Sequence, residues 1–188
     1  MILGHSMGGL IARSACHHAE TQGLGWLSSL RALVCLGTPH HGAPLERGGR
    51  WVDVVLGLSP YVAPFARLGK VRSAGITDLR YGNLQDADWQ GRDRHAQQHD
   101  DRQPTPLPTG VATYVLAATS VDQPGPLHHA LIGDGLVPLA SALGEHRNPA
   151  LALAVPAEHK HVVAGCGHLD LLCHAEVQTQ MQRWLRSS

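Results

Sequence analysis

The sequence predicts an α/β fold in which a mostly parallel sheet carries helices on its faces. Three observations point there. Short apolar runs recur along the chain, several of them empty into Gly/Pro-rich loops, and helical patterns separate them. Their order, strand–helix–strand–lid–strand–strand–helix, is that of a parallel sheet rather than a meander. With 188 residues, 43% of them hydrophobic, the chain can bury one sizeable core.

Met1-Ile2-Leu3 reads as the last fragment of a strand, and residues 4–9 as a tight turn. From Leu10 to about Gln22, Leu10, Ile11, Ala15 and Ala19 share one side of a helix that Gly23 ends. Leu30 to Leu36 is an apolar run closed by Gly37-Thr38-Pro39, the pattern of a buried strand emptying into a loop. Residues 43–109 interrupt the alternation. Their first part mixes Gly and Pro with the amphipathic Trp51-Val52-Asp53-Val54-Val55-Leu56. Their second part, 83–109, is polar and poor in aliphatics, and is read as a surface insertion, not a second domain. A strand resumes at Val111–Ala118, a short helical turn follows at Leu139–Gly144, and a last strand is expected at His161–Ala164. Leu169–Leu185 reads as the terminal helix. No internal repeat is visible.

Fifteen Lys+Arg balance fifteen Asp+Glu. No basic face large enough for nucleic acid is implied, and no apolar run is long enough to span a bilayer. Cys16, Cys35, Cys166 and Cys173 lack the close pairing of a small secreted scaffold, so reduced, mostly buried thiols in a cytoplasmic protein are expected. Fourteen histidines include three doublets. The run from His159 to His174 fits no zinc spacing, and no metal site is assigned.

Chemistry begins at Gly4-His5-Ser6-Met7-Gly8-Gly9. A Gly-x-Ser-x-Gly pattern between a strand and a helix puts a hydroxyl on a sharp, strained turn at the top of a sheet, with small residues on either side. Gly4 and Gly8 are read as those small positions and Ser6 as the nucleophile. The helix starting near Met7 would aim its N-terminus at the site, making the Met7 N–H an oxyanion donor.

Such a serine needs a base and an orienting acid, in the chain order Ser, acid, His. His168, in Gly165-Cys166-Gly167-His168-Leu169-Asp170, lies between the last strand and the last helix and is the expected base. Two carboxylates qualify as the acid. Asp122 is nearer the strand end, while Asp134 is flanked by glycines and followed by an apolar anchor; Asp134 is preferred. His40 and His41, leaving the strand beside the elbow, should line the pocket, and His5 is assigned with them to substrate binding. Trp51, Val55, Leu58, Tyr61 and Phe65 read equally well as lid residues over an acyl pocket or as packing onto the sheet.

These motifs, with Leu36-Gly37-Thr38-Pro39-His40-His41-Gly42 and Gly133-Asp134-Gly135-Leu136-Val137-Pro138, together resemble the lipase/esterase branch of the α/β-hydrolases. Bacterial triacylglycerol-lipase-like and GPI-inositol-deacylase-like hydrolases are the nearest in pattern. The resemblance implies Ser6 as nucleophile, Asp134 as acid and His168 as base. It also implies a calcium role for Asp170, against which its position in a helix's first turn is the preferred reading. The fold it implies places strands before the elbow, so residues 1–188 are expected to be a single partial α/β-hydrolase domain with a lid-like insertion at 43–109. The implied activity is hydrolysis of a small-molecule or lipid ester without a cofactor. Thioester or amide chemistry, or an inactive fragment that only binds, are the alternatives; oligomeric state is not legible.

Overall fold

The computed structural model describes residues 1–43, 78, 80–91, 100, 102–121 and 133–187. The amphipathic segment carrying Trp51, Val55, Leu58, Tyr61 and Phe65 lies outside the described residues, as does Asp122. Among the described residues four strands form one sheet in the order β1 (Ile2–His5), β2 (Ala32–Leu36), β3 (Ala112–Thr119), β4 (Lys160–Ala164), and each pairing is parallel. Helix α1 (Met7–Gln22) follows β1, the short α2 (Leu139–Ala142) lies between β3 and β4, and α3 (Ala175–Ser187) closes the chain.

Alternation along the strands divides the core in two. Leu33 and Cys35 of β2 and Val115 and Ala117 of β3 pack with Ala12 and Cys16 of α1 and with Leu139 and Leu143. Val34, Leu36, Tyr114 and Leu116 face the other way and meet Leu171, Val177 and Trp184. Both faces are therefore covered, which is why β2 is buried along its whole length and reads as a continuous apolar run. Tyr114 stacks on Trp184 with ring centroids 4.8 Å apart, and the Trp184 indole N–H donates to the Glu158 carbonyl at 2.9 Å, seating α3. Of the four free cysteines, Cys16, Cys35 and Cys166 are buried and Cys173 is exposed.

Several boundaries differ from the sequence expectation. Strand β1 runs on through His5, two residues beyond the expected strand fragment, while α1 starts at Met7, where the oxyanion reading places it. It ends as expected at Gly23, in the left-handed region at φ 64°. The expected continuous helix from Leu169 is broken. Asp170–Leu172 forms a single 3-10 turn whose Asp170 carbonyl accepts the N–H groups of Cys173 and His174, and α3 begins only at Ala175. The Asp170 side chain is spent locally as well, accepting the Gly167 N–H at 3.2 Å, which tightens the loop before it.

The elbow needs small residues, but not at both places expected. A Cβ on Gly4 would stand 2.6 Å from the Gly9 nitrogen and 2.8 Å from the Gly8 carbonyl carbon, both rigid backbone. A Cβ on Gly9 would strike the Thr38 side chain, whereas one on Gly8 meets nothing within 4 Å among the described residues. Gly9, not Gly8, is the second tight position. Gly4→Ala is expected to cost about 1–3 kcal/mol through overpacking. Gly8→Ala should leave stability unchanged or raise it by up to about 1 kcal/mol, since alanine is the better helix former. Urea unfolding of the two variants measures the contrast.

Candidate active site

Ser6 joins β1 to α1 with φ 54° and ψ −125°, the one described non-glycine residue at positive φ. A side chain held there costs about 1–3 kcal/mol, a cost met only where surrounding bonds over-determine the turn. Here the Ser6 N–H donates to the Leu36 carbonyl at 2.9 Å and the Ser6 carbonyl accepts the Gly9 N–H at 3.1 Å. Serine in this place would ordinarily cap the helix, yet its side chain makes no capping bond to α1. The hydroxyl is thus set on the turn without being consumed by it.

Asp134 and His168 are brought together from loops 34 residues apart. The His168 Nδ1–H donates to Asp134 Oδ2 at 2.5 Å, and the two residues are 4% and 5% exposed. The other oxygen, Asp134 Oδ1, accepts the N–H groups of Leu136 and Val137 at 3.0 and 2.9 Å. The Ser120 N–H, just past β3, donates to the Gly133 carbonyl at 3.0 Å and pins this loop to the strand end. With the carboxylate as acceptor, Nδ1 carries the hydrogen and the lone pair of His168 sits on Nε2.

Beneath the pair lies Gly37, at φ 53°, the first residue after β2. A Cβ there would stand 2.9 Å from Leu171 Cδ1 and 3.2 Å from both Asp134 Oδ2 and His168 Cε1. Sequence reasoning took Gly37 only as the end of a strand. Its signal was a glycine opening the Gly37-Thr38-Pro39 turn, but what presses on it comes from two distant loops.

The other three expected residues, His5, His40 and His41, each have specific partners. The His5 ring lies against His168, with centroids 4.7 Å apart, and its Nε2–H donates to the His168 carbonyl at 3.0 Å. Burial pushes the His5 imidazole below its ordinary range; the bond to the His168 carbonyl opposes that shift, and the neighbouring His168 adds to it. His40 is 1% exposed and sealed between the core and the inserted segment. Arg13 donates through Nη1 to His40 Nδ1 at 3.2 Å and through Nη2 to the Thr105 carbonyl at 2.7 Å. Arg102 donates to the carbonyls of His40 and Gly82 at 3.2 and 3.1 Å and forms a two-point pair with Asp100. His41 is half-buried; its Nδ1 accepts from Arg102 at 3.4 Å, and its ring lies 4.8 Å from His146. Both rings are engaged by arginines, and sequence reasoning had named neither Arg13 nor Arg102. A groove of about 860 Å³ starts at Met7 and runs along α1 past Leu10 and Ile11 to Leu84 and Trp89. Among the described residues no group of three metal-ligating side chains converges, and no helix is long and apolar enough to cross a membrane.

A parallel sheet with a strained serine turn after one strand, and a buried Asp–His pair delivered by later loops, defines an α/β-hydrolase fold. Residues 1–114, well over half of the chain, match the family model described as the PGAP1-like alpha/beta domain. The chain belongs to that family. Among solved structures it is similar to the mature form of the Bacillus licheniformis lipase BlEst2, at 17% identity and a TM-score of 0.44. That likeness covers 98% of this chain and 63% of the lipase. No curated protein matches the chain.

Two outcomes follow from this geometry. Burial first, and then the positive charges of Arg102, His146 and Arg13, hold His41 down to about 4 against the raising effect of a bond to the Gly144 backbone. His40 lies well below its ordinary value for the same first reason. An unfolded histidine takes its proton near pH 6.5, while these two in the fold do not. The unfolded state therefore binds more protons, and stability falls as pH drops from about 6.5 toward 4. Thermal melts across that window should show the slope, and His41→Gln should flatten it. Separately, Gly37→Ala should lose about 1–2 kcal/mol from its left-handed backbone alone. It should also shift the low-field proton resonance of the His168–Asp134 bond, read by NMR alongside urea unfolding.

Proposed function

We propose that this hydrolase cleaves carboxylic esters through Ser6, His168 and Asp134. The observation that carries the reading is that a strained and uncapped serine turn and a buried, oriented Asp–His couple both follow the carboxyl ends of strands in one parallel sheet. In this reading the Ser6 hydroxyl oxygen attacks the ester carbonyl carbon while its proton passes to His168 Nε2. Asp134 holds Nδ1–H and stabilises the imidazolium that forms, its own charge steadied by two backbone N–H groups. The negative charge on the former carbonyl oxygen is met by the Met7 N–H, at the first residue of α1, where the helix dipole also favours an anion. As the tetrahedral adduct collapses, the alkoxide leaves with the proton from Nε2, giving the alcohol and an acyl-Ser6. Water, deprotonated by His168, then attacks the acyl carbon and releases the acid and free Ser6.

The groove beginning at Met7, with Leu10, Ile11, Leu84 and Trp89 on its walls, supports an apolar acyl chain as the part of the ester that is gripped. The described part of the insertion, from Asn83 to Trp89, supplies one wall of that groove. Nothing in this scheme requires a cofactor.

A p-nitrophenyl ester series of increasing chain length, run on the full-length protein, tests the assignment. Ser6→Ala should abolish turnover and labelling by a fluorophosphonate probe. Asp134→Asn should lower kcat about 10⁴-fold with little change in KM, because the wrong histidine tautomer is then favoured. Equal turnover by wild type and Ser6→Ala would sink the ester-hydrolase reading.

A further inference from the structure

The sheet order sets a problem that the site has to solve. β1, which ends at His5 beside Ser6, and β4, which leads to His168, are the two edges of the four-stranded sheet. Neighbouring strands lie about 4.8 Å apart, so these ends are separated by three spacings, roughly 14 Å. The loop after β4 must turn back across the ends of β3 and β2 to bring an imidazole toward the serine.

Its near end is well tied. The Cys166 N–H donates to the Thr119 carbonyl at 3.0 Å, and Asp170 clamps the Gly167 N–H. At the far end the His168 ring is held through Nδ1 by Asp134. A second point is supplied from β1 itself. His5 Nε2–H donates to the backbone carbonyl of His168 at 3.0 Å across 163 residues of sequence, with the two rings in tilted contact. The residue that makes this bond is covalently next to Ser6, and its backbone position is fixed by register opposite Leu36, whose carbonyl receives the Ser6 N–H.

The geometry points to His5 as a positioning residue that ties the backbone of the base directly to the strand of the nucleophile, in place of the substrate contact expected from sequence. Two features favour this role. The bond needs hydrogen on Nε2, which the neutral imidazole has in one of its tautomers, and burial keeps His5 on the neutral side. A neutral neighbour 4.7 Å away adds no positive charge to oppose the imidazolium on His168. A lysine or arginine making the same hydrogen bond would add one. The inference rests on the ester-hydrolase reading for its kinetic consequence, but not for the bond itself.

The test therefore has two readouts on the full-length protein. His5→Phe keeps a ring and removes the donor, while His5→Gln places an amide N–H near the position of Nε2. On a short p-nitrophenyl ester, His5→Phe should lower kcat about 100-fold, the scale of a misplacement near 1 Å, with KM within about twofold of wild type. His5→Gln should recover to within about tenfold of wild type. The low-field Nδ1–H resonance of His168, followed by NMR, should broaden or move in His5→Phe and persist in His5→Gln. A changed KM with chain-length dependence and an unchanged kcat would return His5 to substrate binding and overturn the proposal. Equal defects in both variants would overturn it too, since the donor would then not matter. If wild type turns over no ester, that reading fails alone, and the resonance still decides whether His5 holds His168.

Discussion

The turn that ends β2 is where most of the molecule's constraints meet. The Leu36 carbonyl receives the Ser6 N–H, and the Gly37 N–H is given to Leu116 inside β3 on the other side, so three strands are locked in register at one place. Gly37 then takes a left-handed backbone and, having no Cβ, lets Asp134, His168 and Leu171 settle directly on it. Thr38 presses into the space that Gly9 leaves in α1, and His40 receives Arg13. Each contact is a close approach of backbone or small side chain, so none can be enlarged without moving another. In close-packed surroundings such positions transmit displacement rather than absorb it.

Polar contacts tie described residues of the insertion to this turn: Arg102 to the His40 carbonyl, and Arg13 to both His40 and Thr105. Arg13 is buried, and among the described residues its hydrogen-bond partners are an imidazole and a carbonyl. Burial lowers its basicity to about 10, which still leaves a full positive charge at neutral pH. Taking that charge out of water costs several kcal/mol, and two hydrogen bonds from a charged donor return about 1.5–3 kcal/mol each. The two sums are of the same size, so the latch contributes little net stability. What it contributes is direction: Arg13 and Arg102 both terminate on His40, one on its ring and one on its carbonyl, and Arg13 also holds the Thr105 carbonyl and Arg102 the Gly82 carbonyl beside it.

The same distinction explains what the sequence could reveal. The strained turn at Ser6 and the meeting of Asp134 with His168 are foreshadowed by local patterns with backbone demands of their own: a Gly-x-Ser-x-Gly turn, a glycine-flanked acid, a strand-to-helix loop. The strands were legible because burial on both faces forces continuous apolar runs. Gly37, His5 and Arg13 were not legible, because what they touch is brought in from 27 to 163 positions away. The choice between Gly8 and Gly9 failed for a related reason. The pattern Gly-x-Ser-x-Gly specifies a spacing, but the clash that makes a glycine necessary comes from Thr38 on the neighbouring strand turn, which no local pattern contains. The terminal helix was overextended because Leu169, Leu171 and Leu172 are good helical residues, while the Asp170 side chain and carbonyl were already committed to the turn.

A further consequence lies in how the site divides its labour. The strands supply Ser6 with a position it cannot leave, since its N–H is part of the sheet's own bonding. They supply His168 with none, because its strand is at the opposite edge. The imidazole is placed instead by side chains: Asp134 on its ring, His5 on its backbone and Asp170 on the turn beneath it. Errors in the sheet would unfold the protein, whereas errors in these three bonds would move one ring by a fraction of an ångström in a molecule that otherwise stands. Geometry of that kind makes activity more fragile than stability, and it locates the fragility in the loop after β4 rather than in the elbow.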